Sequence, residues 1–136
     1  MREWVVPALT TFIFWGFWGF LPKLTTRFIS PLSATLFEVV GGILVGIVVL
    51  AVTRFRPDFN LNGLLLALMT GVVGFVGALS YLVAVSRGKV SLVVSFTALY
   101  PIFSILLAVL LLKESFSVRQ GAGVILGLIA MLMIAL

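Results

Sequence analysis

The sequence predicts an all-α membrane protein, a bundle of five transmembrane helices, and three observations carry that prediction. Hydrophobic residues make up 62% of the 136-residue chain and charged residues only 10%, whereas a soluble surface needs about a quarter of its residues charged. The apolar residues are gathered into five long runs, each close to the ~20 residues a helix needs to cross a hydrocarbon layer. The charges fall almost entirely in the short gaps between those runs. Lipid is therefore the solvent in which this chain buries its surface.

The first run spans residues 4–21, from Trp4 to Leu21, and stops at Pro22-Lys23. No small-residue cleavage site follows it, so it reads as a retained helix and not as a signal peptide. The second, 31–52, opens at Ser30-Pro31, a capping residue followed by proline in the first turn. Arg54, Arg56 and Pro57 close it. The third covers 61–85 and ends before Arg87-Gly88-Lys89; the fourth covers 90–112 and ends at Lys113-Glu114; the fifth covers 118–136. Four short connections make consecutive helices antiparallel neighbours. No repeat is visible, and residues 1–136 read as one transmembrane domain.

Several chemistries are excluded by what is missing. With no cysteine and no histidine, disulfides, thiol chemistry, haem ligation and the usual zinc sites have no ligands. Four scattered acidic residues do not assemble a carboxylate-rich metal site. No nucleophile–base set or phosphate loop is present, so neither an enzyme nor a cofactor is expected. The net charge of +5 flanks apolar spans, which reads as anchoring to anionic lipid headgroups and not as nucleic-acid binding.

Five spans place the termini on opposite faces of the membrane. One face then carries Arg2, Arg54, Arg56, Lys113 and Arg119, the other Lys23, Arg27, Arg87 and Lys89. This near-balance gives the positive-inside rule little to act on. Either a few terminal charges decide one orientation, or copies insert both ways and pair as an antiparallel homodimer. The second reading is preferred, because such a pair reproduces with two chains the inverted repeat that many transporters build within one.

Glu38 is the most unusual residue by position. It lies seven residues past Pro31, about 10 Å into the helix. An ionisable side chain at such depth costs on the order of 2.5–3.5 kcal/mol and persists where it faces a cavity or partner. It suits a group that exchanges a proton or meets a cationic substrate; a structural salt bridge to Lys23 or Arg27 is the alternative. Lys23 itself, at a helix end, is expected to snorkel. Thr11, Trp15 and Trp18 share one face of the first helix at i, i+4, i+7 spacing, where they either wall a pocket or pack between helices. In the fourth helix Thr97, Pro101, Ser104 and Ala108 form one stripe, and Pro101 is a candidate hinge because it removes an internal hydrogen bond. Tyr81 and Tyr100 offer phenolic hydroxyls to the bundle. Gly42 and Gly46, Gly71, Gly74 and Gly77, and Gly123 and Gly127 recur at spacings that allow close helix approach. Glu114, beside Lys113 at the water boundary, reads as a solvated or capping carboxylate.

The run Thr97-Ala98-Leu99-Tyr100-Pro101-Ile102-Phe103-Ser104, the aliphatic helix after it, then Lys113-Glu114-Ser115-Phe116-Ser117 and Gln120-Gly121, resembles the EamA domain of the drug/metabolite transporter superfamily. The aromatic-glycine opening Phe14-Trp15-Gly16-Phe17-Trp18-Gly19 is similar to that of the same family. The resemblance spans essentially the whole chain. Most members are tandem duplications with ten helices, so a single copy implies that dimerisation replaces duplication. The chain departs from the pattern at Glu38, where many members place a basic residue. With the membrane carboxylate and the bendable helix, the resemblance implies a multi-pass secondary transporter of the cell membrane. It would move a small metabolite or drug-like solute by alternating access, with Glu38, Trp15, Trp18, Thr97, Tyr100 and Tyr81 as substrate-binding or ion-coupling candidates. A small dual-topology channel and an accessory or lipid-handling subunit are the competing readings.

Overall fold

A computed structural model describes residues 3–115 and 117–135. Arg2 of the charge balance, Phe116 of the family motif and the end of the fifth span at Leu136 lie outside the described residues. Everything regular among the described residues is helical: α1 (Val5–Thr25), α2 (Pro31–Val52), α3 (Leu61–Arg87), α4 (Val90–Thr97), α5 (Tyr100–Leu111) and α6 (Val118–Ala135). Four stretches are long and apolar enough to cross a membrane, with α4 and α5 together making one of them, Val90–Leu111. The fifth, α6, is eighteen residues, about 27 Å of helix. Exposed apolar side chains run along the helices, Phe12 of α1 at 75% and Val73 of α3 at 70% among them, as a surface that meets lipid requires. This is a multi-pass membrane protein.

The contacts divide into two units, Met1–Arg87 and Gly88–Leu136. In the first, α3 packs against both α1 and α2. Its buried residues are Pro22 from the end of α1, Ala34 from the start of α2, and Ala78, Tyr81, Leu82 and Val85 from the end of α3. These three helix ends meet at one face of the membrane. Towards the opposite ends, α3 has no buried residue from 61 to 77 and α2 none from 40 to 52.

Local signals explain most helix ends. Ser30 caps α2 by accepting from the Ser33 N–H at 3.3 Å, with Pro31 supplying the preset φ of the first turn. Past the end of α2, Arg54 and Phe55 adopt left-handed backbone, φ 54° and 59°, and the Phe55 N–H reaches back to the Leu50 carbonyl at 2.9 Å. Lys113 ends α5 in the same region at φ 54°. Ser117 and Gln120 satisfy one another before α6: the Ser117 N–H donates to Gln120 Oε1 at 2.9 Å and the Gln120 N–H to Ser117 Oγ at 3.2 Å, a capping box.

Two prolines change the expected helix bounds. Pro22 does not end the first helix at Leu21; α1 runs through it to Thr25, as prolines inside membrane helices can do. The fourth span is not one helix over 90–112 but two, separated at Ala98 and Leu99. Pro101 has no N–H to give the Thr97 carbonyl. The chain tightens around that gap, with Leu99 N–H donating to the Phe96 carbonyl at 3.3 Å and Ile102 N–H to the Leu99 carbonyl at 3.1 Å. These i→i−3 bonds mark a tight turn inside the span.

In the second unit α4 packs against α6.

Candidate functional site

The three helices of the first unit border an open cavity of about 380 Å³ lined by Trp18, Glu38, Gly71, Gly74, Phe75 and Ala78. Each helix supplies a different kind of group. Trp18, from α1, presents an indole that stays 43% exposed. Glu38, from α2, is half-buried and brings the carboxylate. From α3 come two glycines and Ala78, whose small size leaves the space open; a Cβ built on Gly71 or Gly74 would meet nothing within 4 Å. Phe75 closes one side, its ring 3.6 Å from where a Cβ on Gly42 would stand.

Among the described residues, no hydrogen-bond donor or cation engages the Glu38 carboxylate. The bridge from Glu38 to Lys23 or Arg27, one alternative read from the sequence, is therefore not made in this structure. Lys23 instead donates from Nζ to the Val85 carbonyl at 2.6 Å. Val85 is among the last four residues of α3, whose carbonyls lack a helical donor, so Lys23 caps that helix and its charge complements the helix dipole. The lysine does not snorkel to water as expected. An unpaired carboxylate beside an indole face can take up a proton, or hold a cation between charge and π-system.

Tyr81 stands behind this wall. It is 7% exposed and stacks on Trp18, ring centroids 5.3 Å apart at 26°. Its hydroxyl donates to the Gly19 carbonyl, next to the Trp18 carbonyl that Pro22 leaves without its helical donor. Trp15, 57% exposed, and Thr11, whose hydroxyl donates to the Pro7 carbonyl at 3.0 Å, lie elsewhere on α1 and do not line the cavity.

Thr97, Tyr100 and Pro101 belong to the second unit and flank the break between α4 and α5. The Thr97 hydroxyl donates to the Val93 and Val94 carbonyls at 2.9 and 3.1 Å. Ser104 bonds the Tyr100 carbonyl at 3.5 Å. Hydroxyls bound back to their own helix, as Thr10, Thr70, Ser80 and Ser95 also are, cover carbonyls and do not join into a polar file. Within this unit a second cavity, about 450 Å³, is lined by Ile105, Ala108, Glu114, Ser115, Gln120 and Gly123, among others. Glu114 thus faces a hollow, a placement its position at a helix junction did not signal. Gly46, Gly77, Gly123 and Gly127 have open space where a side chain would project.

The partners of the cavity that sequence reasoning passed over are Phe75 and Ala78, ordinary apolar residues with no signal of their own. Tyr81 and Lys23 were noticed, but their bonds join residues 62 positions apart in sequence.

A protein of Methanocaldococcus jannaschii, itself described as uncharacterised, is 24% identical over 132 residues, covering 97% of this chain and 96% of its own length. No solved structure matches the chain. The family model of the EamA-like transporters matches residues 2–136. The match covers essentially the whole chain, and the chain belongs to the EamA-like transporter family.

Proposed function

We propose that this protein is a secondary transporter of a small metabolite or drug-like solute, working by alternating access, with Glu38 as the group that exchanges a proton or meets the solute. The observation that carries the reading is the single cavity in which Glu38 and Trp18 converge beside glycines of α3. An unpartnered carboxylate is costly in a bilayer unless a proton or ligand completes it, and an indole offers the solute a flat apolar contact. Pro101, at the break in the fourth span, serves as the hinge. The chain works as an antiparallel homodimer in the plasma membrane, which the five-to-four division of its basic residues supports. The glycines without neighbours, Gly46, Gly77, Gly123 and Gly127, are the packing positions such a pair would use.

Reconstitution tests the reading. Liposomes containing only this protein are offered radiolabelled amino acids, sugars, nucleosides and amines under a proton gradient. Saturable, gradient-driven uptake supports a secondary transporter. Fast, non-saturating ion flux points to a channel, and inactivity without a second chain points to an accessory subunit. A lone cysteine at Asn60, labelled by an impermeant maleimide in intact cells, tests the pairing. Labelling of about half the molecules fits dual topology; nearly all or nearly none rules it out.

A further inference from the structure

We propose that Tyr81 and Lys23 form a two-point latch that holds α1 against α3 beneath the Glu38 cavity. Tyr81 is then a positioning residue that governs passage at this end without touching solute. The purpose of the latch rests on the transport reading; its geometry does not.

Four observations converge. Tyr81 carries no wall of the cavity, yet it stacks on Trp18, which does. Its hydroxyl reaches the Gly19 carbonyl, three residues before Pro22, while Lys23, one residue after Pro22, reaches the Val85 carbonyl. The two bonds therefore bracket the one point in α1 where the helix is short of an internal bond and bends most easily. Beneath the cavity floor at Ala78, the chain is closed by Leu82 and Val85, neither with exposed surface, and by Ala34 at 1%.

Separating this end breaks the Tyr81–Gly19 and Lys23–Val85 bonds and a small dry contact, and no helix has to unwind. Because both donors are side chains, the last turn of α1 can swing about Pro22 while α3 stays whole. When the latch releases, the Trp18 indole loses its backing, so the cavity wall and the closed end move together. That coupling is what alternating access requires of an element below the site. The sequence contains no cysteine, so the movement can be followed with introduced labels alone.

The test places spin labels at Arg27→Cys and Arg87→Cys, both exposed positions at the ends of α1 and α3. The full chain is held in lipid nanodiscs and diluted with unlabelled protein, so that only pairs within one chain are read by double electron–electron resonance. The unaltered latch gives one short-distance population. Tyr81→Phe, which keeps the stacked ring and removes only the hydroxyl, raises the proportion of a longer distance on the order of five-fold, the scale of one lost hydrogen bond. Lys23→Met does the same from the other side of Pro22. A Tyr81→Phe chain with an unchanged distance distribution overturns the latch, whether or not its melting midpoint falls, since a purely structural tyrosine lowers stability without shifting this equilibrium. A shifted distribution in a protein that moves no solute in liposomes keeps the latch and removes the transport reading; an unchanged one in a protein with saturable uptake does the reverse.

Discussion

Replacing Lys23 by methionine removes the donor to the Val85 carbonyl, and the cost of losing that bond can be worked from the structure. The Lys23 ammonium sits 2.6 Å from the Val85 carbonyl, in a residue with no exposed surface and within the last turn of α3. Methionine keeps the apolar stem that lines this end of the bundle. What is lost is a hydrogen bond from a charged donor, worth about 1.5–3 kcal/mol net, since the carbonyl it served is left without a partner. Part of that figure is the attraction between the cation and the α3 C-terminus, about 0.3–1 kcal/mol. Lys23→Met is therefore expected to lower stability by about 2 kcal/mol, and Lys23→Arg, which keeps a donor of similar reach, by less. Reversible unfolding in mixed micelles with increasing dodecyl sulfate, followed by circular dichroism, measures both. A Lys23→Met protein within about 0.5 kcal/mol of the parent, the range of an inconsequential surface change, refutes the capping role.

Two further predictions follow from backbone geometry. Lys113 holds a left-handed conformation at φ 54°, which costs a residue with a Cβ about 1–2 kcal/mol. Glycine gives back part of that through its freer unfolded chain, so Lys113→Gly is expected to stabilise by about 0.5–1 kcal/mol; the same titration reads it, and a loss of stability contradicts the strain. Pro101→Ala restores the N–H that the Thr97 carbonyl lacks and should merge α4 and α5 into one helix. Hydrogen exchange at Ala98 to Ile102 then slows, and unchanged exchange there means that Pro101 does not cause the break.

The helices were legible because each span is an apolar run bounded by charges and turn residues, and the cap at Ser30-Pro31 announces the start of α2. Prolines were less legible. Pro22 and Pro101 each remove one i→i−4 hydrogen bond, yet α1 continues and the fourth span breaks; beside Pro22 a tyrosine from α3 binds the Gly19 carbonyl, a contact that no local pattern reveals. Glu38 stands out in any reading, since a carboxylate seven residues into an apolar helix needs a reason. That it faces Trp18 across glycines of α3 depends on how three helices register against one another. That register is set by Ala34, Ala78, Leu82 and Val85, small and aliphatic residues indistinguishable in sequence from their lipid-facing neighbours. Trp15 and Trp18 share a helix face, but only Trp18 lines the cavity, because the cavity lies toward the packed end of α1.

The most direct test of the account compares Glu38→Gln and Glu38→Asp with the parent protein in proteoliposomes at equal protein density, on the same panel of radiolabelled solutes under an imposed proton gradient. Saturable uptake is expected from the parent, uptake at the level of empty liposomes from Glu38→Gln, and partial activity from Glu38→Asp, which keeps a carboxylate on a shorter stem. Uptake by Glu38→Gln equal to that of the parent would contradict the account.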